Sequence, residues 1–213
     1  KTPVEPRTFR KGNEMLKDIL TDNRTCRTFD ESRKVTKDEL VSFVECARLT
    51  PSTANIQPLS YRLVYKPEEG QAVQPTTKWG GALPELHLPP EGHRPTAFIV
   101  ICIDKEKFGD PSKFQRDVGI CAMAISLAVH EKGLASCIIG AFRAEDTAKV
   151  LGLPENILPQ LVIGIGKPDE RREIVEAKGS TKYYRENGIH YVPKRPLSEI
   201  IIDQERNHEN ADL

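Results

Sequence analysis

The stretch from Ser112 to Glu131 places Val118, Cys121, Ala122, Ile125, Ala128 and Val129 on one broad face, the most apolar helical pattern in the chain. A helix with such a face has to be buried on that side, so the fold must supply a layer to cover it. Gly119, Ala122, Ala124, Ser126 and Ala128 are small enough to let another helix approach closely, and Gly133 suits the helix end. Candidates for the covering layer follow from composition. Thr96 to Ile103 (TAFIVICI) is a near-continuous apolar, β-branched run expected to be a buried strand. Ala135 to Ile139 and Leu161 to Ile165 read as two more strands, with a short helix from Ala144 to Leu151 between them. Leu59 to Tyr65 alternates weakly and reads as a fourth.

Upstream, Glu14 to Leu20 has the pattern of a short amphipathic helix stopped at Asp22-Asn23. Thr36-Lys37-Asp38-Glu39 has the form of a capping box. The helix it opens carries Leu40, Phe43, Val44 and Ala47 at helical spacing and should end near Thr50-Pro51, because proline disfavours helical geometry in the residue before it. Residues 66–95 are rich in Pro and Gly and read as a long irregular excursion, the kind of loop that often serves as a lid. Tyr191 to Ile202 closes the chain in another short apolar run. Helices and strands mix without regular βαβ spacing, so the expected class is α+β. One domain over 14–202 is expected, between a polar arm, 1–13, and a polar tail, 203–213.

Lys+Arg and Asp+Glu both total 31, so no global field exists for nucleic acid or anionic membrane, and any anion site must be local. The five cysteines, Cys26, Cys46, Cys102, Cys121 and Cys137, are scattered and form no CxxC pair, which argues against a disulfide framework or a metal site. Lys1 to Arg7 lacks the apolar core of a secretion signal, and no stretch reaches the roughly 20 apolar residues of a membrane span. A cytoplasmic protein is the expectation.

Four segments concentrate chemistry. Asn23-Arg24-Thr25-Cys26-Arg27-Thr28-Phe29 sets two arginine forks around a hydroxyl, a phosphate-recognising set, although a solvated basic turn has the same composition. Pro51-Ser52-Thr53-Ala54-Asn55-Ile56-Gln57-Pro58 gathers amides and hydroxyls that match a planar heterocycle with carbonyls and ring nitrogens, or simply satisfy their own turn. Ile139-Gly140 ends a strand on a residue that admits close approach of a ligand to the backbone. Lys194 and Arg195, held between Pro193 and Pro196, are stiffened cations or an ordinary charged tail.

In order and content these segments resemble the nitroreductase family over roughly residues 14–202. Arg24-Thr25-Cys26-Arg27-Thr28-Phe29 is similar to the family's N-terminal basic–hydroxyl–x–basic pattern before an aromatic. Pro51 to Pro58 matches its proline–serine–x–x–asparagine–x–glutamine–proline loop in full. Asp117-Val118-Gly119-Ile120 through Ile139-Gly140, Leu161 to Pro168 and Val192-Pro193-Lys194-Arg195 resemble it too. Asn23 stands where many relatives carry a basic residue, and Leu59 where many carry tryptophan. The first is expected to weaken a phosphate contact, the second to change packing beside the cofactor.

The resemblance implies a central, mostly antiparallel sheet flanked by helices, and a homodimer that exchanges its C-terminal segment, with the Tyr191–Ile202 strand completing the partner's sheet. It implies FMN at the dimer interface and NAD(P)H as electron donor to a small oxidised acceptor, in ping-pong fashion. Arg24, Thr25, Cys26, Arg27, Ile139, Gly140, Lys194 and Arg195 would bind FMN from one subunit, and Pro51, Ser52, Asn55 and Gln57 from the other. Arg27 is the expected cation that tunes the flavin. Without a G-x-G-x-x-G fingerprint, no separate nicotinamide domain is expected. Three rivals remain: a non-catalytic FMN-binding or sensing protein, a dehalogenating or flavin-modifying relative, and a thiol redox protein built on Cys26. The deiodinase-like lid needs a Glu–Tyr–Lys set, and 66–95 offers Lys78 and Glu85 without a tyrosine.

Overall fold

A computed structural model describes residues 16–202. The arm at 1–13, the tail at 203–213 and the first turn expected at Glu14 lie outside them. The chain divides into two compact units, one ending at Glu170 and one beginning at Arg171.

The first unit contains α1 (Leu16–Asp22), β1 (Phe29–Asp30), α2 (Lys37–Arg48), β2 (Leu59–Val64), α3 (Pro67–Val73) and β3 (Ala97–Asp104). After these come α4 (Lys105–Phe108), α5 (Gln115–Glu131), β4 (Ala135–Ile139), α6 (Ala144–Val150) and β5 (Ile157–Pro168). The expected capping box forms: Thr36 Oγ1 accepts from the Glu39 N–H, and Glu39 accepts from the Thr36 N–H. In the sheet, β3 lies between β2 and β5, and β4 and then β1 pair along the far edge of β5, all antiparallel.

Both faces of this sheet are covered, which explains why β3 reads as an unbroken apolar run. Side chains of a strand alternate between faces. Ile99, Ile101 and Ile103 join Ile163 and Ile165 beneath α2 and α5, where they meet Leu40, Phe43, Val118, Ala122 and Ile125. Phe98, Val100 and Cys102 join Val64, Cys137, Ile139 and Val162 on the opposite face. There the cover comes from the supposed excursion. Residues 66–77 are not the irregular loop expected from their Pro and Gly content, whereas 78–95 are irregular apart from the short turn Pro84–Leu86. Pro67 sits at the first turn of α3, where its missing N–H costs nothing, and Val73 and Trp79 pack into the second core. The segment is then pinned to the chain after Gly140, with Lys78 N–H donating to Ala141 O (2.8 Å) and Arg143 N–H to Thr76 O (2.8 Å).

Strand β5 runs longer than Leu161–Ile165 because Pro159 hides its first part. Opposite Ile101 and Cys102 the register slips by one residue, and a bulge of this kind tolerates proline inside a sheet.

The second unit holds β6 (Arg171–Glu176), β7 (Tyr184–Glu186), β8 (Ile189–Lys194) and α7 (Leu197–Ile200). Strand β8 lies parallel to β6 along its whole length and antiparallel to β7 over Ile189–Tyr191. It is thus already paired within its own unit, so an exchanged strand would have to come from residues beyond Lys194. Charge-rich β6 and β7 carried no apolar signal that would have marked them in advance.

Candidate functional site

The segment after α1 runs along the outer edge of the main sheet. Cys26 N–H donates to Ser136 O of β4 (2.9 Å), and Phe29 then pairs with Pro168 in β1. Phe29 is fully buried and packs on Gly166, where a Cβ would stand 2.9 Å from its ring. This anchor fixes the residues before it. Arg24 and Arg27 are half-buried and Thr25 is exposed. The Arg24 guanidinium donates to the Leu20 carbonyl at the end of α1. The Arg27 N–H donates to Glu170 Oε1 (2.5 Å), and Thr28 Oγ1 to Glu170 Oε2 (3.4 Å). Burial pushes the neighbouring Cys137 thiol on β4 up to about 12, although the positive charge of Arg27 acts against it.

Asn23 does not face a ligand. It is buried, its Nδ2 donates to Ser126 Oγ of α5 (3.0 Å), and Ser126 Oγ lies 2.9 Å from Ser136 Oγ of β4. An amide there ties α1, α5 and β4 together, a role a charged side chain would fill at a desolvation cost. Cys26 is fully buried with its thiol donating to Thr28 O (3.1 Å). A thiol held in a sealed pocket is shielded from the solvent-borne partners that thiol redox chemistry needs, which counts against the thiol-redox reading.

Strand β4 ends at Ile139-Gly140. A Cβ at Gly140 would meet only Leu161 Cδ1, at 4.0 Å, so the backbone there is open to a ligand. The structure therefore brings the Arg24–Arg27 segment and the Ile139-Gly140 turn to one sheet edge.

The Pro51–Pro58 loop forms a second cluster, centred on a residue outside the expected set. Asp117, in the first turn of α5, is 1% exposed. Its Oδ1 accepts from Ser52 Oγ (2.6 Å) and Thr53 N–H (2.9 Å), and its Oδ2 from Thr53 Oγ1 (2.7 Å). Burial opposes ionisation of Asp117, but these donors outweigh it and hold its carboxyl below the ordinary value. Asn55 and Gln57 are exposed, with Gln57 Nε2 donating to Asn55 Oδ1 (3.1 Å). Asn55 Nδ2 and Gln57 Oε1 are left as donor and acceptor toward solvent. An acid four residues before Cys121, on the buried face of the most apolar helix, was the signal that could have exposed Asp117. Glu170, beyond β5, offered no such pattern. Lys194 and Arg195 belong to the second unit, where Arg195 Nε pairs with Glu199 at 3.1 Å.

Comparison with known proteins gives the same class as fold and site. The family model for the nitroreductase family matches residues 20–167. The chain belongs to the nitroreductase family. A protein of Archaeoglobus fulgidus, named provisionally as an NADH dehydrogenase/NAD(P)H nitroreductase, is 28% identical over 173 residues, covering 77% of this chain and 91% of its own. Two solved structures share the fold. An FMN-dependent nitroreductase from Clostridium difficile has a TM-score of 0.59 at 24% identity, covering 73% of this chain and 88% of its own. The NADPH:FMN oxidoreductase from Vibrio harveyi, complexed with NAD+, has a TM-score of 0.62 at 19% identity, covering 88% and 76%. Among the described residues no helix is long and apolar enough to cross a membrane, and no His/Cys/Asp/Glu group could hold a metal ion.

Proposed function

We propose that this protein is an FMN-dependent oxidoreductase that passes electron pairs from NAD(P)H to an oxidised organic acceptor, a nitroaromatic, quinone or similar molecule, by a ping-pong mechanism in a cytoplasmic homodimer. The observation that carries this reading is the pair of half-buried cations, Arg24 and Arg27, laid along the β4 edge that ends at the open backbone of Gly140. The residues fit FMN in kind: guanidinium forks for one terminal phosphate, an unobstructed glycine for a flat ring, and outward amides for its polar edge. Arg24, Thr25, Cys26, Arg27, Ile139 and Gly140 would hold it from one subunit. Pro51, Ser52, Asn55 and Gln57 would do so from the other.

When bound, FMN supplies the redox chemistry, so no side chain is required as nucleophile or general base. The chain's own residues position and polarise. Phe29, wedged on Gly166, and the Glu170 contact to the Arg27 N–H fix the backbone from which both arginines project. Arg27 is the candidate cation that would stabilise the negative charge FMN gathers on reduction. The buried Cys26 thiol is engaged with Thr28 O. Relatives named for NAD(P)H support the donor.

Cofactor-replete protein should be yellow and release FMN on denaturation, identified by chromatography of the extract. Release of FAD, or of no flavin, overturns the assignment. The holoprotein should also consume NAD(P)H steadily in the presence of a nitroaromatic or quinone. A holoprotein that holds FMN but leaves NAD(P)H untouched is a binding or sensing protein instead.

A further inference from the structure

We propose that Asp117 is a positioning residue that holds the Pro51–Pro58 loop in the shape that meets the flavin, an inference that rests on the FMN reading above. The loop needs an external support. Ala54, Asn55 and Gln57 all have left-handed backbones, with φ of 47°, 55° and 53°, and none is glycine. The other positive-φ non-glycine residues described, His87 and Asn187, stand singly. Asn visits this geometry with local help, but Ala and Gln adopt it only where their surroundings impose it. Apolar packing cannot impose it here, because residues 53–57 are all exposed and Ile56 itself is 44% exposed.

Hydrogen bonds rooted in Asp117 can. The carboxylate takes three donors at the start of the loop, from Ser52 Oγ, Thr53 N–H and Thr53 Oγ1. Ser52 Oγ then accepts from the Gln57 N–H at 3.0 Å, so the relay Asp117–Ser52–Gln57 joins the loop's entry to its exit. Ser52 is accordingly a strut whose one hydroxyl proton is spent on Asp117. Gln57 Nε2 continues the relay to Asn55 O and Oδ1, at 3.3 and 3.1 Å. Because α5 is fixed in the main core, Asp117 transfers the rigidity of the fold to a loop that has no core of its own. A loop shaped in advance does not lose conformational freedom when it meets its ligand, which strengthens binding without any contact from Asp117 to that ligand.

The test uses the full-length chain, freed of flavin and titrated with FMN by fluorescence quenching, with amide hydrogen exchange on the same samples. Asp117→Ala should raise the FMN Kd by roughly tenfold or more and speed exchange within residues 51–57, leaving α5 and the sheet protected. Asp117→Asn keeps an acceptor for Ser52 and Thr53 and should recover most of the loss. Thr53→Val removes one bond at an exposed position, and should show a smaller change in the same direction even if Asp117→Ala fails to fold. Wild-type Kd and wild-type loop exchange in either Asp117→Ala or Thr53→Val overturn the inference, as does faster exchange spread through α5 and the sheet. Failure of the unmodified chain to bind FMN overturns the functional reading instead, and this inference with it.

Discussion

Two arginines three positions apart are set up for different work. Arg24 is half-buried against the last turn of α1, its guanidinium on the Leu20 carbonyl, a placement suited to a phosphate that carries the same charge whatever the flavin's oxidation state. Arg27 sits beside β4, with its backbone held by Glu170 and its charge felt at Cys137. Arg24→Ala should therefore weaken FMN retention and leave the flavin midpoint potential in place. Arg27→Ala should lower that potential by roughly 30–60 mV, because a charge-assisted hydrogen bond of about 1.5–3 kcal/mol would be lost mainly from the reduced state. Spectroelectrochemical titration of FMN-saturated variants measures it. An unchanged potential with lost FMN would make Arg27 a second phosphate ligand. Residue identity alone marked these cations as candidates, and the contacts of their neighbours came only with the fold: the side chains of Asn23 and Cys26 turn inward as buried partners of Ser126 and Thr28.

Periodicity located α2, α5, β2, β3 and β4 to within a few residues, because each carries an apolar face that only one kind of element can bury. It missed the helix and the packing within 66–95, a stretch whose Pro and Gly read as irregular throughout. What holds that segment is a wedge: Trp79 sets the edge of its six-membered ring on β5 at Gly164, donates its indole N–H to Thr77 Oγ1 (2.7 Å) and packs T-shaped with Phe29. A Cβ at Gly164 would stand 2.8 Å from Trp79 Cη2 and 3.3 Å from Pro95 Cγ. Gly164→Ala should therefore destabilise the protein by about 1–3 kcal/mol in denaturant unfolding, the usual cost of overfilling a packed core. Adding Trp79→Phe should recover part of that loss, because residues in contact couple. If the two substitutions simply add, Trp79 does not press on Gly164 and the wedge is not what holds the segment.

At the scale of the whole molecule, the first unit leaves apolar surface uncovered. Ile120 on α5 is 44% exposed and Ile138 on β4 is 41% exposed, while a Cβ at Gly119 would meet nothing within 4 Å. Beyond β8, Leu197, Ile200, Ile201 and Ile202 are also exposed. These side chains are available for association, and a second copy of the chain is the proposed cover, bringing its own Pro51–Pro58 loop to the flavin. Sedimentation at micromolar concentration should give a dimer, and a monomer that retains FMN tightly would exclude the shared site. The α+β class and the buried strands could be read from the sequence, because apolar periodicity is a local property, and the same local reading of side-chain chemistry supplied the four segments proposed to meet the flavin. The covering role of 66–95, the paired strands of the second unit and the control of one loop by Asp117 could not. Each depends on partners far along the chain, and only the folded backbone determines which donor meets a buried carboxylate 64 or 65 residues away.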